Sequence, residues 1–262
     1  MFRVRVFLLM SLALATVALS GCCVYGYALR GSGRLVTKDL DITGFDAIEA
    51  QSTFQVEVTQ GETYSVSVTA DDNVWERLEV GKRGDTLRLG LQQPRMINRV
   101  TLRAKITMPA LEAVEVSGAS RVTARGFGEK EAESFRLRVS GASRFSGDIQ
   151  AGDADLEISG ASRYEGEVRA HSVDLALSGA SRADVSGSVA RLHLDVSGAS
   201  TADMPDLTAD GAEVRLSGAS RAELNVTSDL DYELSGASTL TYAGRPRVGH
   251  SEVSGGSSVH QR

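Results

Sequence analysis

The chain has 262 residues, 42% of them hydrophobic but only 5% aromatic, which suits one or two domains with a narrow interior of Val, Leu, Ile and Ala. Its formal net charge of −6 argues against nucleic acid or anionic lipid headgroups as partners. Its two cysteines, Cys22 and Cys23, are adjacent and make a poor disulfide, so no covalent staple holds the fold.

Residues 1–21 read as a signal peptide. Arg3 and Arg5 supply a positive start, and the apolar stretch 6–19 is too short to span a bilayer comfortably. The segment ends Leu19-Ser20-Gly21-Cys22, an aliphatic residue and two small ones before Cys, which resembles the lipobox of bacterial lipoproteins. The resemblance implies cleavage before Cys22, a diacylglyceryl thioether on its sulfur and acylation of its amine. The protein is then exported and anchored in the cell envelope through several acyl chains, which hold far more firmly than one. The absence of Asp after Cys22 resembles lipoproteins sent on to an outer membrane. Cys23 is read as a bland second cysteine. Residues 22–33 form the lipidated tether, with Gly26, Gly31 and Gly33 suited to flexibility.

A β-helix domain is expected over 34–258, with irregular N-terminal coils over 34–110. Residues 54–59 alternate and stop at Gln60-Gly61, and 64–68 follow as the second strand of a hairpin-like or coil-like pair. Residues 73–78 read as one helical turn with Asn73 as N-cap and Glu76 three residues on, and Trp75 packs there. Gly81 and Gly84 flank a turn before the strand 86–91, and 102–108 alternates until Pro109. All four prolines (Pro94, Pro109, Pro205, Pro246) fall between proposed strands, as ladder hydrogen bonding requires.

Over 111–258 the coils become regular. Ser-Gly-Ala-Ser starts at Ser117, Ser140, Ser159, Ser178, Ser197, Ser217 and Ser235, with a worn copy at Ser254, at steps of about 19 residues. A fixed period of this length marks a stacked repeat. Before each motif two apolar columns alternate with a polar one, as in Leu156-Glu157-Ile158 and Leu175-Ala176-Leu177, the mark of a strand buried on one face. The reading is an all-β, right-handed parallel β-helix, a single-stranded β-solenoid of about 19 residues per coil. Each coil has room for two more short strands. The Gly permits a sharp corner, Ala is expected inside it, and second breaks are expected at Gly126, Gly147, Gly166, Gly187 and Gly244. A leucine-rich repeat is set aside, because its Asn or Cys and its helical half are missing. The last coil decays, with Gly249 and Ser251 at apolar positions, so self-association through the C-terminal coil is considered. Residues 259–262 are left as a tail.

Several motifs occur in a fixed order: Gly31-Ser32-Gly33, residues 44–48 (GFDAI), residues 56–61 (VEVTQG), Asp71-Asp72-Asn73, Pro109-Ala110-Leu111, then the Ser-Gly-Ala-Ser coils. Together they resemble the family called putative auto-transporter adhesin, head GIN domain, over roughly residues 30–258. The resemblance implies a right-handed parallel β-helix on an exported, often lipid-anchored bacterial protein, with no catalytic residue to carry over. Where the family resemblance leads one to expect Ser-Gly-Ser-Gly-Asp variants at the turns, this chain has Ser-Gly-Ala-Ser-Arg.

Immediately after the motif stand Arg121, Arg144, Arg163, Arg182, Thr201 and Arg221, and two residues on stand Thr123, Ser146, Glu165, Asp184, Asp203 and Glu223. Residues two apart share a strand face, so an Arg column lies beside a largely acidic one. The plain reading is a solvated, mutually neutralising surface. The functional reading is a possible ligand-binding array, Arg121, Arg144, Arg163, Arg182 and Arg221, forking onto the carboxylates or sulfates of an acidic polysaccharide, or meeting another envelope protein. Asp184, Asp203 and Glu223, with Glu165, are candidates for a hard cation such as Ca²⁺, centred on Asp203 where Thr201 leaves the acid row unneutralised. Ca²⁺ wants about six to eight converging oxygens, so no metal and no cofactor is expected. His171, His193, His250 and His260 are scattered over several coils. No nucleophile, base and orienting group fall together, so a polysaccharide-active enzyme is the lesser reading and a non-catalytic adhesin-like surface the main one.

Overall fold

The computed structural model describes residues 29–92, 97–129 and 132–262. Residues 1–21, read above as a signal peptide, lie outside the described residues, as do Cys22, Cys23 and Pro94. The body is a β-solenoid of about eight turns with coils about 19 residues apart. The alternating apolar columns set its register. Leu137, Leu156, Leu175, Leu194 and Val214 pair in succession as parallel neighbours, and so do Val139, Ile158, Leu177, Val196 and Leu216. All ten are 2% exposed or less. Burying each such side chain stabilises the fold by about 1.5–3 kcal/mol, so the columns supply the stability that disulfides would otherwise give. The columns run back into the irregular part through Ile48 and Ala50, which pair with Val114 and Val116 on one side and Leu87 and Leu89 on the other.

Within each regular coil the pairing hardly stops. Single strands run Arg163–Leu177, Arg182–Val196 and Thr201–Leu216, so the expected three short strands per coil merge into one and the Ser-Gly-Ala-Ser corner is the main break. Of the expected second breaks, Gly126, Gly187 and Gly244 take positive φ, whereas Gly147 and Gly166 do not. At the corner three backbone bonds climb from coil to coil: Ser159 N–H donates to Val139 C=O (2.8 Å), Ala161 to Gly141 (2.8 Å) and Arg163 to Ser143 (3.0 Å). The corner glycines sit at φ near +75°, and a Cβ on Gly198 would stand 2.5 Å from the Gly179 carbonyl oxygen. Glycine is required there both for backbone conformation and for stacking distance.

The corner turns the expected side chain the other way. The alanines Ala142, Ala161, Ala180 and Ala199 are exposed, and the second serine of the motif faces inward. Ser120, Ser143, Ser162, Ser181, Ser200, Ser220 and Ser238 are at most 3% exposed. The inward face of Val196 is interrupted at the exposed corner Gly198 and resumes in the same register at Ser200 and Ala202, both buried. Buried hydroxyls need partners, and most find backbone carbonyls: Ser181 Oγ donates to Ile158 C=O (3.1 Å) and Ser220 Oγ to Val196 C=O (3.2 Å). Ser120 and Ser143 hydroxyls have none among the described residues.

The N-terminal part is less coil-like than expected. The strands Gln55–Gln60 and Ser65–Asp71 do not pair with each other, because Leu102–Met108 lies between them, parallel to the first and antiparallel to the second. Leu35–Leu40 then adds antiparallel to Ser65–Asp71. Leu78–Arg83 forms a true hairpin with Thr86–Leu91 about Gly84, so Gly81 belongs to a strand rather than to the turn. Antiparallel strands thus close this end of the parallel stack. The helical turn is a 3-10 segment over Asp72–Arg77 without a side-chain cap bond. Trp75 packs half-buried beside it and donates to the Val36 carbonyl (3.2 Å).

Asn73, expected as the cap, instead binds the chain entering the domain. Its Oδ1 accepts from Ser32 N–H (3.1 Å) and its Nδ2 donates to Arg30 C=O (2.9 Å). The buried Asp71 carboxylate accepts from Gly33 N–H (2.6 Å) and Thr101 N–H (2.7 Å), and Asp72 holds Ser32 Oγ (2.5 Å) and Arg34. Residues 29–33, read as flexible tether, are therefore pinned to the body, and the co-occurrence of Gly31-Ser32-Gly33 with Asp71-Asp72-Asn73 has a physical cause.

Two further expectations change. Pro205 lies inside the strand Thr201–Leu216, but the register slips there, so Pro205 and Asp206 fall in a bulge that needs no ladder donor. The supposed tail is the end of a strand, Ser258–Gln261, paired with Thr239–Tyr242. In this last coil Val248 (39%) and Val253 (47%) are exposed.

Candidate functional site

The corner fixes one residue beyond it on the outer face, and stacking makes that residue a column. Arg121, Arg144, Arg163, Arg182, Thr201 and Arg221 are successive parallel partners, at roughly 4.8 Å steps. Beside them Thr123, Ser146, Glu165, Asp184, Asp203 and Glu223 stack in the same way. All five arginines of the expected array therefore share one face.

Their electrostatic states differ. Asp184 lies 2.7 Å from both Arg163 and Arg182, and Arg182 reaches on to Asp203 at 2.5 Å. Hydrogen bonding to Asp184, with its charge and that of Asp203, raises the Arg182 pKa above its ordinary value. Glu223 is taken by Arg262. Arg121, Arg144 and Arg221 form no ion pair among the described residues.

These pairs correct the cation expectation. Asp203 is not left unneutralised by Thr201, because Arg182 of the preceding coil reaches it. Among the described residues, no three His, Cys, Asp or Glu side chains converge as a metal site. Asp184 and Asp203 of the row face guanidinium groups instead.

The histidines remain apart. His171 Nε2 lies 2.9 Å from Arg191, and His193 lies 3.2 Å from Arg215 and 3.5 Å from Glu213. The one large break in the repeat is the 23-residue step from Ser117 to Ser140, which carries a 3-10 turn at Phe127–Glu129. Beside it a cleft of roughly 280 Å³ is lined chiefly by Leu111, Phe127, Phe135, Phe145 and Ile149. Glu112, Glu133 and Asp148 stand at its walls, and among the described residues no Ser, Cys, Lys or His lines it to complete a nucleophile and base. Below it Tyr164 is fully buried, donating weakly to Gly147 C=O (3.4 Å), and burial pushes its pKa up.

Sequence reasoning missed two cations on the Arg face. Gln55 is the parallel neighbour of Arg121 on its upstream side, and Arg103 is the neighbour of Gln55, so the column continues into the irregular part. Lys105, two residues on, occupies the adjoining column beside Glu57. No Ser-Gly-Ala-Ser motif precedes Arg103; only the alternation Arg103-Ala104-Lys105-Ile106 signals that both cations face outward.

A family model described as "Putative auto-transporter adhesin, head GIN domain" matches residues 44–246. Among solved structures, a "putative adhesin" from Parabacteroides merdae ATCC 43184 superposes with a TM-score of 0.81 at 17% identity, covering 90% of this chain and 100% of its own. A "putative lipid binding protein" from Parabacteroides distasonis ATCC 8503 gives 0.82 at 17% identity, with the same coverage. A "putative adhesin" from Bacteroides fragilis NCTC 9343 gives 0.68 at 18% identity, again over 90% of this chain and 100% of that one. At such identities the likeness is one of fold. No curated protein resembles the chain closely enough to count as a match.

Proposed function

Because the chain belongs to the head GIN domain family of auto-transporter adhesin type, we propose that it is a non-catalytic, lipid-anchored envelope protein whose stacked Arg face binds an acidic polysaccharide. The observation that carries the reading is the stacking of Arg121 on Arg144, with Gln55 and Arg103 continuing the same column, on one exposed face. Guanidinium groups in a straight row offer forked donors to successive carboxylates or sulfates, which a globular surface seldom does.

The anchor is Cys22, acylated after cleavage of residues 1–21, in an outer membrane if the organism has one. Cys22 is seven residue steps from Leu29, the first described residue, a reach of at most about 25 Å. The antiparallel end of the solenoid then stays near the bilayer. Replacing Cys22 by Ser should move the protein from the membrane fraction to the soluble envelope fraction, and retention in the membrane would remove the anchor. A glycan array probed with the wild type and with a variant carrying Gln at Arg121, Arg144, Arg163, Arg182 and Arg221 tests the binding face. Selective loss of acidic glycans supports it, and unchanged binding refutes it.

A second reading is favoured by the exposed Val248 and Val253: two copies pairing through the last coil. Solution scattering on the unlipidated protein at rising concentration would show this as a mass twice that of the chain.

A further inference from the structure

The Arg face divides into two electrostatic halves. Downstream, Asp184 and Asp203 engage Arg163 and Arg182, whose side chains are 40% and 43% exposed. Upstream, Thr123 and Ser146 stand where those acids would be, and Arg121 and Arg144 are both exposed without an ion pair among the described residues. Gln55 and then Arg103 continue the column, with Lys105 on the adjoining one. Gln55, Glu57, Arg103, Lys105, Arg121 and Thr123 line an open groove of roughly 400 Å³. Against four cations (Arg103, Lys105, Arg121, Arg144) this stretch has one acid, Glu57.

We propose that Arg103, Lys105, Arg121 and Arg144 form an anion site for a polymer carrying carboxylates or sulfates, while Arg163 and Arg182 take no part. The proposal rests on the reading of the Arg face as a polysaccharide surface and says which part of it binds. Neighbouring cations about 5 Å apart repel by roughly 0.8 kcal/mol even at the dielectric constant of water, and an incoming anion relieves that repulsion. A ligand at Arg163 or Arg182 must instead displace a carboxylate already in place. The upstream spacing also selects the ligand. Arg121 and Arg144 are one strand step apart and Arg103 and Arg121 two, so charges repeating at roughly 5 to 10 Å along a chain fit, and an isolated monoanion touches only one fork. Lys105 adds a point charge beside the column rather than a second fork.

The test uses the full lipidated chain in neutral detergent, titrated with polygalacturonate, with dextran sulfate and with glycerophosphoglycerol, the water-soluble headgroup of phosphatidylglycerol. One variant carries Arg121→Gln and Arg144→Gln. A second, charge-neutral variant carries Arg182→Gln and Asp203→Asn. Circular dichroism checks that both fold. The expected result is binding of both polymers that weakens about tenfold or more in the first variant and stays within about twofold in the second. Equal weakening in both overturns the division and leaves the whole column as the binding face. Failure of the wild type to bind either polymer overturns the polysaccharide reading itself. Stronger binding to glycerophosphoglycerol than to the polymers reassigns the groove to lipid headgroups and overturns the polymer site.

Discussion

Arg182 Nη2 lies 2.5 Å from Asp203 Oδ2, one coil further on, while its Nε lies 2.7 Å from Asp184 on its own coil. One guanidinium thus ties two coils together, and Arg163 repeats the link to Asp184 from the coil before. Stacked like charges are offset by the neighbouring column of opposite sign. The ladder is a surface feature, and each pair is worth about 0–1 kcal/mol. Asp184→Asn should lower stability by about 1 kcal/mol in low salt and by less in 0.5 M salt, as read by urea unfolding at both ionic strengths.

The corner predicts a sharper contrast between adjacent residues. Gly198 sits at φ +74° with the Gly179 carbonyl where its Cβ would go, whereas Ala199 is exposed. Gly198→Ala should therefore destabilise by about 2–4 kcal/mol and Ala199→Ser by less than about 0.5 kcal/mol. Thermal unfolding of the two variants side by side measures the difference.

The inward serines should also differ among themselves. Ser220 Oγ donates to Val196 C=O and meets Ser238 Oγ at 3.2 Å, but Ser120 Oγ has no partner among the described residues. Ser220→Ala should destabilise by about 1 kcal/mol, while Ser120→Ala should be neutral or stabilising, because an unsatisfied buried hydroxyl is removed. Chemical denaturation of the pair reads this directly.

At the entry to the domain, hydrogen bonds from Ser32 and then Arg34 hold the Asp72 carboxyl below its ordinary value of 3.8. The charged form is favoured by folding, so its contribution is full above the unfolded pKa and is lost as pH falls through the lower folded one. Asp72→Asn should melt below the wild type at pH 5 to 7. The two should converge as pH drops below about 4, which melting curves across that range will show.

Much of this was legible in the chain. Leu156, Leu175 and Leu194 alternate with polar residues at a fixed interval, and local alternation plus repetition is sufficient to stack them. Strict alternation also places Ser200 inside and Ala199 outside; the expectation that the smaller residue takes the inner corner overrode a signal already present. The antiparallel closure was not legible, since Ser65–Asp71 meets Leu102–Met108 only across a long separation that no local pattern encodes. For the same reason Arg103 and Lys105 escaped notice. They join the Arg face through the pairing of Gln55 with Arg103, not through the repeat.

The most direct test of the divided Arg face is to watch the arginine side chains themselves. Nε–Hε resonances of Arg121, Arg144, Arg163 and Arg182, assigned in the protein and followed during titration with polygalacturonate, report contact residue by residue. The account predicts large shifts at Arg121 and Arg144 with Arg163 and Arg182 nearly still. Movement confined to Arg163 and Arg182, or none at all, would contradict it.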